Sequence, residues 1–399
     1  MRTIGVITGA RSDYGLLLPV LKRIVADTKL KLQLFVTGMH LSPEFGLTVR
    51  VIEADGFDIS ERVDMLVASD APQAVSKSIG LGVIGFSQAY SHSRPDLLLV
   101  MGDRFETLAA VVAALPYGIP VAHISGGDIT EGVIDDAIRH SITKMSHLHF
   151  VALNESRDRI IQMGEEPWRV TVTGEPGLDN LKEITVLASV ELEKVVGLPL
   201  NPAPLLVTFH PVTLEPNETE RSIVALLAAL EELAMPVIFT YPNADTGGRI
   251  IIEHIEQFVR THPNGRVVVS LGPQGYFSLM NCSAAMLGNS SSGIVEAASF
   301  ELPVVDIGNR QRGRVRSQNV IHAEPDQESV LRAARMVLSP SFKCRLRGLK
   351  NPYGDGNAAQ RIIEVLKVTP LESRLLVKCF HNVGETQSTG GYSAKSCAT

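Results

Sequence analysis

Met286-Leu287-Gly288-Asn289-Ser290-Ser291-Ser292-Gly293-Ile294-Val295-Glu296 runs from an apolar strand, through three consecutive hydroxyls bracketed by glycines, into a helix. A strand that ends in small residues and turns directly into a helix is the repeating unit of a parallel α/β sheet. Backbone N–H groups at a helix start have no intrahelical partner, so such a turn can seat a phosphate without a lysine. The serines equally suit an ordinary helix N-cap, and the rest of the chain decides between the two readings. Glu296, further along the same turn, is placed to accept hydrogen bonds from a ribose.

Working outward, short β-branched runs at 3–8, 32–37, 97–101, 120–124 and 149–151 alternate with helical patterns, the first of them near 13–26. A second series follows at 205–209, 237–240, 267–269, 284–288 and 304–307. Near-continuous apolar strands separated by helices indicate parallel sheets covered on both faces. The spacing predicts an α/β protein with two doubly wound domains joined near 173–177. Such sheets bind ligands beyond the carboxyl ends of their strands, so facing halves place the site in a central cleft. The expected division is 1–172, 173–368 and a tail, 369–399. The tail lacks an apolar period from about Gly384 and is expected to be partly disordered.

At 399 residues the chain exceeds one comfortable core. Its 45% hydrophobic and 20% charged content is that of a globular enzyme. No apolar run approaches the roughly 18 residues of a membrane span, and the N-terminus enters a strand without a basic leader, so a cytoplasmic protein is expected. The net charge of −6 offers no global attraction for nucleic acid. Cys282, Cys344, Cys379 and Cys397 show neither zinc spacing nor secreted-scaffold density and read as reduced and structural.

Polar residues cluster just after strands. Gly9-Ala10-Arg11-Ser12-Asp13 offers Arg11 to a phosphate and Asp13 to orient it or to cap the next helix. Gly102-Asp103-Arg104 sets a carboxylate beside a guanidinium, where a salt bridge or cap is the plain alternative for Asp103. In His123-Ile124-Ser125-Gly126-Gly127-Asp128 a glycine pair lets backbone approach a ligand, and Asp128 sits on a loop. With a helix from about 134, Asp136, His140 and Lys144 fall four residues apart on one face. Acidic clusters at Asp103 and at 128–136 supply the paired carboxyls that acid–base work needs at one pH. In the second half, His210 follows a strand, Asn243 lies in a turn-rich loop, and Arg310, Arg312, Arg314 and Arg316 crowd one loop. Without interleaved aromatics those arginines suit a local phosphate or carboxylate clamp, with Arg310 as ligand contact and the others bracing loops.

The ordered series Arg11-Ser12-Asp13-Tyr14, Gly102-Asp103-Arg104, His123-Ile124-Ser125-Gly126-Gly127-Asp128, Ile134-Asp135-Asp136-Ala137-Ile138-Arg139-His140, His210-Pro211-Val212-Thr213, Pro242-Asn243-Ala244-Asp245, Gly288-Asn289-Ser290-Ser291-Ser292-Gly293 and Gly308-Asn309-Arg310-Gln311 resembles the hydrolysing UDP-N-acetylglucosamine 2-epimerases of sialic and related nonulosonic acid synthesis. The resemblance spans roughly residues 3–365. It implies the glycosyltransferase-B architecture of two Rossmann-like domains, the first with catalytic carboxylates and the second binding UDP. It also implies no metal or cofactor, no membrane or nucleic-acid partner, and a dimer or tetramer. In that family a carboxylate removes the proton at C2 of the sugar as UDP leaves C1, and water adds to the 2-acetamidoglucal intermediate with inversion at C2. Carried over by motif, Asp103 and Asp135 are the acid and base, with Asp128 a third carboxyl. His210 and Arg11 meet the diphosphate, as do Ser290 and Ser291, with Ser292 and Gly293 in the same turn. Glu296 meets the ribose, and Arg310 and Asn243 line the cleft, as do Asp13, Arg104, Ser125 and His140.

Several family members carry Glu where this chain has Ser125, and one extra residue separates the glycine pair from Asp135. The change puts the sugar in question: UDP-N-acetylglucosamine is the first reading and UDP-2,4-diacetamido-2,4,6-trideoxyglucose (UDP-N,N'-diacetylbacillosamine), for legionaminic acid, the alternative. A non-hydrolysing 2-epimerase, a glycosyltransferase and a non-catalytic nucleotide-sugar sensor are the competing functions. The first would yield a UDP-linked product, the second would need an acceptor, and the third would bind UDP without turnover.

Overall fold

A computed structural model describes residues 1–69, 71–130, 134–211, 216–242, 248–268 and 271–383. Seven parallel strands form the N-terminal sheet: β1 (Arg2–Thr8), β2 (Leu30–Thr37), β3 (Ile59–Val63), β4 (Leu97–Met101), β5 (Val121–Ile124), β6 (Leu148–Val151) and β7 (Val170–Val172). Their order is β3-β2-β1-β4-β5-β6-β7. Six more form the C-terminal sheet: β8 (Leu205–Thr208), β9 (Val237–Thr240), β10 (Gly265–Val268), β11 (Ala285–Gly288), β12 (Val304–Ile307) and β13 (Val320–Ala323), ordered β10-β9-β8-β11-β12-β13. Every residue of β4 and of β11 is buried, as expected of strands covered by helices on both faces. The predicted doubly wound α/β architecture is therefore what the chain adopts.

Helix placement follows apolar spacing. Helix Arg11–Ala26 buries Tyr14, Leu17, Val20, Leu21 and Ile24, a stripe three to four residues apart that faces β1 and β2. Helix Ile134–Met145 buries Ile138, Arg139, Ile142 and Thr143 and keeps Asp135 and Asp136 in its first turn.

In each sheet the strand order reverses direction once, between β1 and β4 and between β8 and β11. Such a reversal opens a crevice at the carboxyl edge. Loops 9–13 and 102–104 flank the first crevice; His210 and the serine turn flank the second.

The chain passes from β7, the last strand of the N-terminal sheet, to β8, the first of the C-terminal sheet, through residues 173–204. Past Tyr353 the chain returns, and helix Ala358–Val368, expected in the second domain, buries Ile362, Ile363 and Leu366 in the N-terminal core. At about 1.5–3 kcal/mol per buried side chain these three contribute roughly 5–9 kcal/mol of attachment. Asp179 fixes where the helix begins, accepting the Ala358 and Ala359 N–H groups at 2.9 and 2.8 Å. The two crossings lie backbone to backbone: a Cβ on Gly174, at φ +90°, would sit 3.2 Å from Gly354 Cα. Of the expected tail, Leu375 joins the N-terminal core and Lys378 donates to the Lys144 and Ser146 carbonyls. Among the described residues no helix is long and apolar enough to cross a membrane. Cys282, Cys344 and Cys379 are unpaired, the last two exposed rather than packed.

Candidate active site

The first crevice holds a chain of carboxylates and guanidiniums. Asp103 is ion-paired with Arg139, a side chain only 4% exposed. The same guanidinium donates to the Asp128 carbonyl at 3.0 Å and to Thr130 Oγ1 at 2.9 Å. Arg139 thus ties the loops after β4 and β5 to the helix carrying Asp135. Asp135 is half-buried, and burial first, the charge of Asp103 second, lift its carboxyl above the ordinary carboxylate range. One carboxyl of the pair carries a fixed cation; the other is desolvated and faces a like charge. Asp128 accepts a hydrogen bond from Ser156 Oγ at 2.6 Å.

Arg104 does not meet Asp103; it forks onto Glu106, 1% exposed, at 3.1 and 2.8 Å. It remains within electrostatic reach of Asp13 and Asp135. Asp13 caps its own loop, accepting from Thr8 Oγ1 at 2.5 Å and from the Gly9 and Ala10 N–H groups at 3.0 and 3.2 Å. This is the capping role that the sequence offered beside that of orienting a phosphate. Arg11 is exposed at the loop's tip. His140 lies 3.5 Å from Asp136 and its Nδ1 is buried without a hydrogen-bond partner. Lys144 leaves the predicted face, donating to buried Glu165 at 2.5 Å with Phe380 of the tail against it. Beneath the crevice, His123 bridges the Gly102 carbonyl at 2.7 Å and Thr143 Oγ1 at 3.2 Å. Burial drives its pKa down to about 3, so it is neutral and purely a brace.

In the second crevice the serine turn forms the helix cap, one of its two readings. Ser290 is the N-cap of helix Ser291–Val295 and accepts from the Ser292 N–H at 3.3 Å. Ser291 and Ser292 stay partly open. Gly293 is buried instead, since a Cβ there would lie 2.9 Å from Val304 Cγ1; it allows close packing rather than ligand contact. Gly288 has φ +140°, and a Cβ would fall 1.9 Å from the Thr208 carbonyl, so only glycine lets β11 pass the end of β8. Asn289 then clamps the turn to the β8 loop: its Oδ1 accepts the His210 N–H at 2.7 Å and its Nδ2 donates to the His210 carbonyl at 2.8 Å. Arg310 and Gln311 donate to the Asn289 carbonyl at 3.1 and 2.9 Å. Burial, and then nearby Arg310, depress His210 to about 3, leaving a neutral imidazole beside a cation and the serine turn. Arg316 braces its loop through buried Asp306 at 2.7 Å. Asn243 lies outside the described residues.

Charges from the two lobes meet at Glu175. Glu175, on the outgoing crossing, accepts from Ser125 Oγ at 3.3 Å. Burial, then Asp128 and Glu296, raise its carboxyl to about 8. Burial likewise raises Glu296 to about 7, with Arg314 opposing. Residues of both lobes therefore act on Glu175. Arg139, Glu106, Asn289 and Glu175 carry no role in the sequence reading. The detectable trace of Glu175 is a charged residue between the glycine and proline of a domain crossing. Among the described residues no group of three or more His, Cys, Asp or Glu has metal-binding geometry.

Two doubly wound lobes, one carrying Asp103 and Asp135 and the other the serine turn with a neutral histidine and an arginine, make an α/β protein of glycosyltransferase-B architecture. The sequence profile of the family described as UDP-N-acetylglucosamine 2-epimerase matches residues 22–367. A Legionella pneumophila UDP-N,N'-diacetylbacillosamine 2-epimerase (hydrolyzing) is 37% identical over 380 residues, 95% of this chain and 99% of the relative. A Campylobacter jejuni GDP/UDP-N,N'-diacetylbacillosamine 2-epimerase (hydrolyzing) is 40% identical over 325 residues, 81% and 84% of the two chains. The Escherichia coli polysialic acid biosynthesis protein P7 is 32% identical over 369 residues, 92% and 94%. The chain belongs to this 2-epimerase family, as its motifs led us to expect. The fold agrees with the solved Neisseria meningitidis UDP-GlcNAc 2-epimerase bound to UDP-GlcNAc, at TM-score 0.80 and 18% identity over 92% of this chain and 99% of that one.

Proposed function

We propose that the protein is a hydrolysing UDP-sugar 2-epimerase that releases UDP and the C2-inverted free sugar. The observation that carries this reading is the unequal carboxyl pair: Asp103 under the Arg139 cation, Asp135 shifted toward its protonated form. Removal and return of hydrogen at one carbon from opposite faces needs one carboxylate and one carboxylic acid at the same pH. In this reading Asp103 takes the C2 proton and Asp135 returns one. A C–H without an adjacent carbonyl is a poor acid, so the step depends on stabilising the departing diphosphate. Arg310, the partly open Ser291 and Ser292 of the serine turn, neutral His210 and exposed Arg11 supply that, while Glu296 meets the ribose.

For the sugar, we favour UDP-N,N'-diacetylbacillosamine, the substrate named in the relatives at 37% and 40% identity. UDP-N-acetylglucosamine is the second reading, in keeping with the family and with the polysialic acid relative at 32%. NMR identification of products from the two sugar nucleotides, offered separately, tests both levels. A free manno-configured sugar with UDP supports hydrolysis, and a UDP-linked epimer refutes it; the relative kcat/KM values rank the sugars. The expectation of a dimer or tetramer is carried with this proposal, and light scattering checks it.

A further inference from the structure

Glu175 is the part of the cleft that the functional reading leaves unused. It stands on the outgoing crossing with its N–H donated to the Tyr353 carbonyl of the returning one at 2.7 Å, so both crossings fix its backbone. Glu175 is partly buried. Ser125 turns toward it from a left-handed conformation, φ +60°, a strain that non-glycine residues hold where the surroundings impose it. From the N-terminal lobe the charge of Asp128 reaches it, and from the C-terminal lobe those of Glu296 and Arg314; Tyr353 lies in the same field. Glu296 Oε2 is buried and has no hydrogen-bond partner, an acceptor awaiting a donor from the cleft. A sugar nucleotide with its hexose at Asp103 and Asp135 and its ribose at Glu296 would span the residues of the two lobes whose charges meet at Glu175.

We propose that Glu175 is a third catalytic carboxyl, serving C1 as acid and then as base; this rests on the hydrolysing-epimerase reading above. In the first step Asp103 takes the C2 proton, the C1–C2 double bond forms, and the C1–O electron pair leaves with UDP, whose oxygen receives the Glu175 proton. In the second, Asp135 protonates C2, water oxygen bonds to C1, and the water proton passes to the Glu175 carboxylate. Glu175 ends as it began, and the net change is one water added across the C1–O bond. Asp103 and Asp135 exchange their protons with solvent before the next cycle.

The test compares the full-length protein with Glu175→Gln and Glu175→Asp, following UDP release, free sugar and the glucal intermediate by NMR. A glutamine still donates a hydrogen bond but transfers no proton. Free sugar formation by Glu175→Gln should fall at least a hundredfold, within the range for a lost acid–base group, while UDP and glucal accumulate. Glu175→Asp should recover at least tenfold of that loss. The wild-type rate should decline above about pH 8, where Glu175 gives up its proton, and that limb should vanish in Glu175→Gln. Free sugar formation within threefold of wild type, or equal loss of both steps with an unchanged pH profile, would overturn the assignment. A wild-type protein that releases UDP from neither sugar nucleotide would instead sink the functional reading, and this proposal with it.

Discussion

Replacing Arg139 by Met should separate catalysis from nucleotide binding. The guanidinium, 4% exposed, has Asp103 as ion-pair partner and donates to the Asp128 carbonyl and Thr130 Oγ1. Removing one partner of a fully buried pair costs about 3–5 kcal/mol. Asp103 is 25% exposed and keeps part of its hydration, which lowers the cost, whereas the orphaned Thr130 and Asp128 acceptors raise it by about 1 kcal/mol each. The net expectation is about 3 kcal/mol, or roughly 6–12 °C in the unfolding transition of a lobe of this size. Arg139→Lys keeps the charge but not the fork and should lose about half as much. With the Asp103 loop released, kcat should drop about a hundredfold, as expected when a catalytic group loses its geometry. UDP affinity by calorimetry should stay within about threefold, because the serine turn is braced by Asn289 and not by Arg139. A variant with wild-type kcat, or one whose UDP affinity falls in step with kcat, would refute the division of labour drawn between the lobes.

Asp103→Asn and Asp135→Asn should each lower kcat by about 10²–10⁴-fold with little change in UDP affinity, read by product NMR and calorimetry; a full-rate variant removes that residue from the acid–base pair. Gly288→Ala drives a methyl into the Thr208 carbonyl at a φ of +140° and should destabilise the C-terminal lobe by about 3 kcal/mol or more, with UDP binding lost, seen in denaturant melts and calorimetry. Glu296 binds its proton up to about pH 7 in the fold but only to about its ordinary 4.5 when unfolded. Between those values the native state holds more protons, so this group makes stability fall as pH rises through the window. Glu296→Gln should flatten the melting-temperature slope of the ligand-free protein between pH 5 and 7; an unchanged slope would show that the carboxyl is not shifted.

The central strands were legible because burial on both faces makes them uniformly apolar. β3, β7 and β13, all missed, are sheet edges. β3 alternates half-buried and exposed positions and β7 has three residues, which leaves little to distinguish them from loop. Polar residues that follow strands were legible in the sequence: Asp103, His210 and Ser290 follow strands that border the strand-order reversals, and Arg310 reaches the second reversal from the loop after β12. Arg139 was not, since its i+4 spacing from Asp135 suits a solvated helix face and nothing local announces that the guanidinium is buried. Lys144 was read on one face with Asp136 and His140 from the same spacing. Helix geometry gives a direction, but Glu165 and the tail decide what lies there. Glu175 escaped because its meaning arises only when Ser125, Asp128 and Glu296 converge from two lobes.

The chain's return across the gap at Tyr353 has an engineering consequence. Severing it at 173 does not release two self-sufficient modules. The first fragment keeps an uncovered apolar trough beside helix Arg11–Ala26, and the second drags along a greasy helix with no home. Any lobe exchange between relatives must hand residues 354–383 back to the original donor, making the transplant an insertion rather than a fusion.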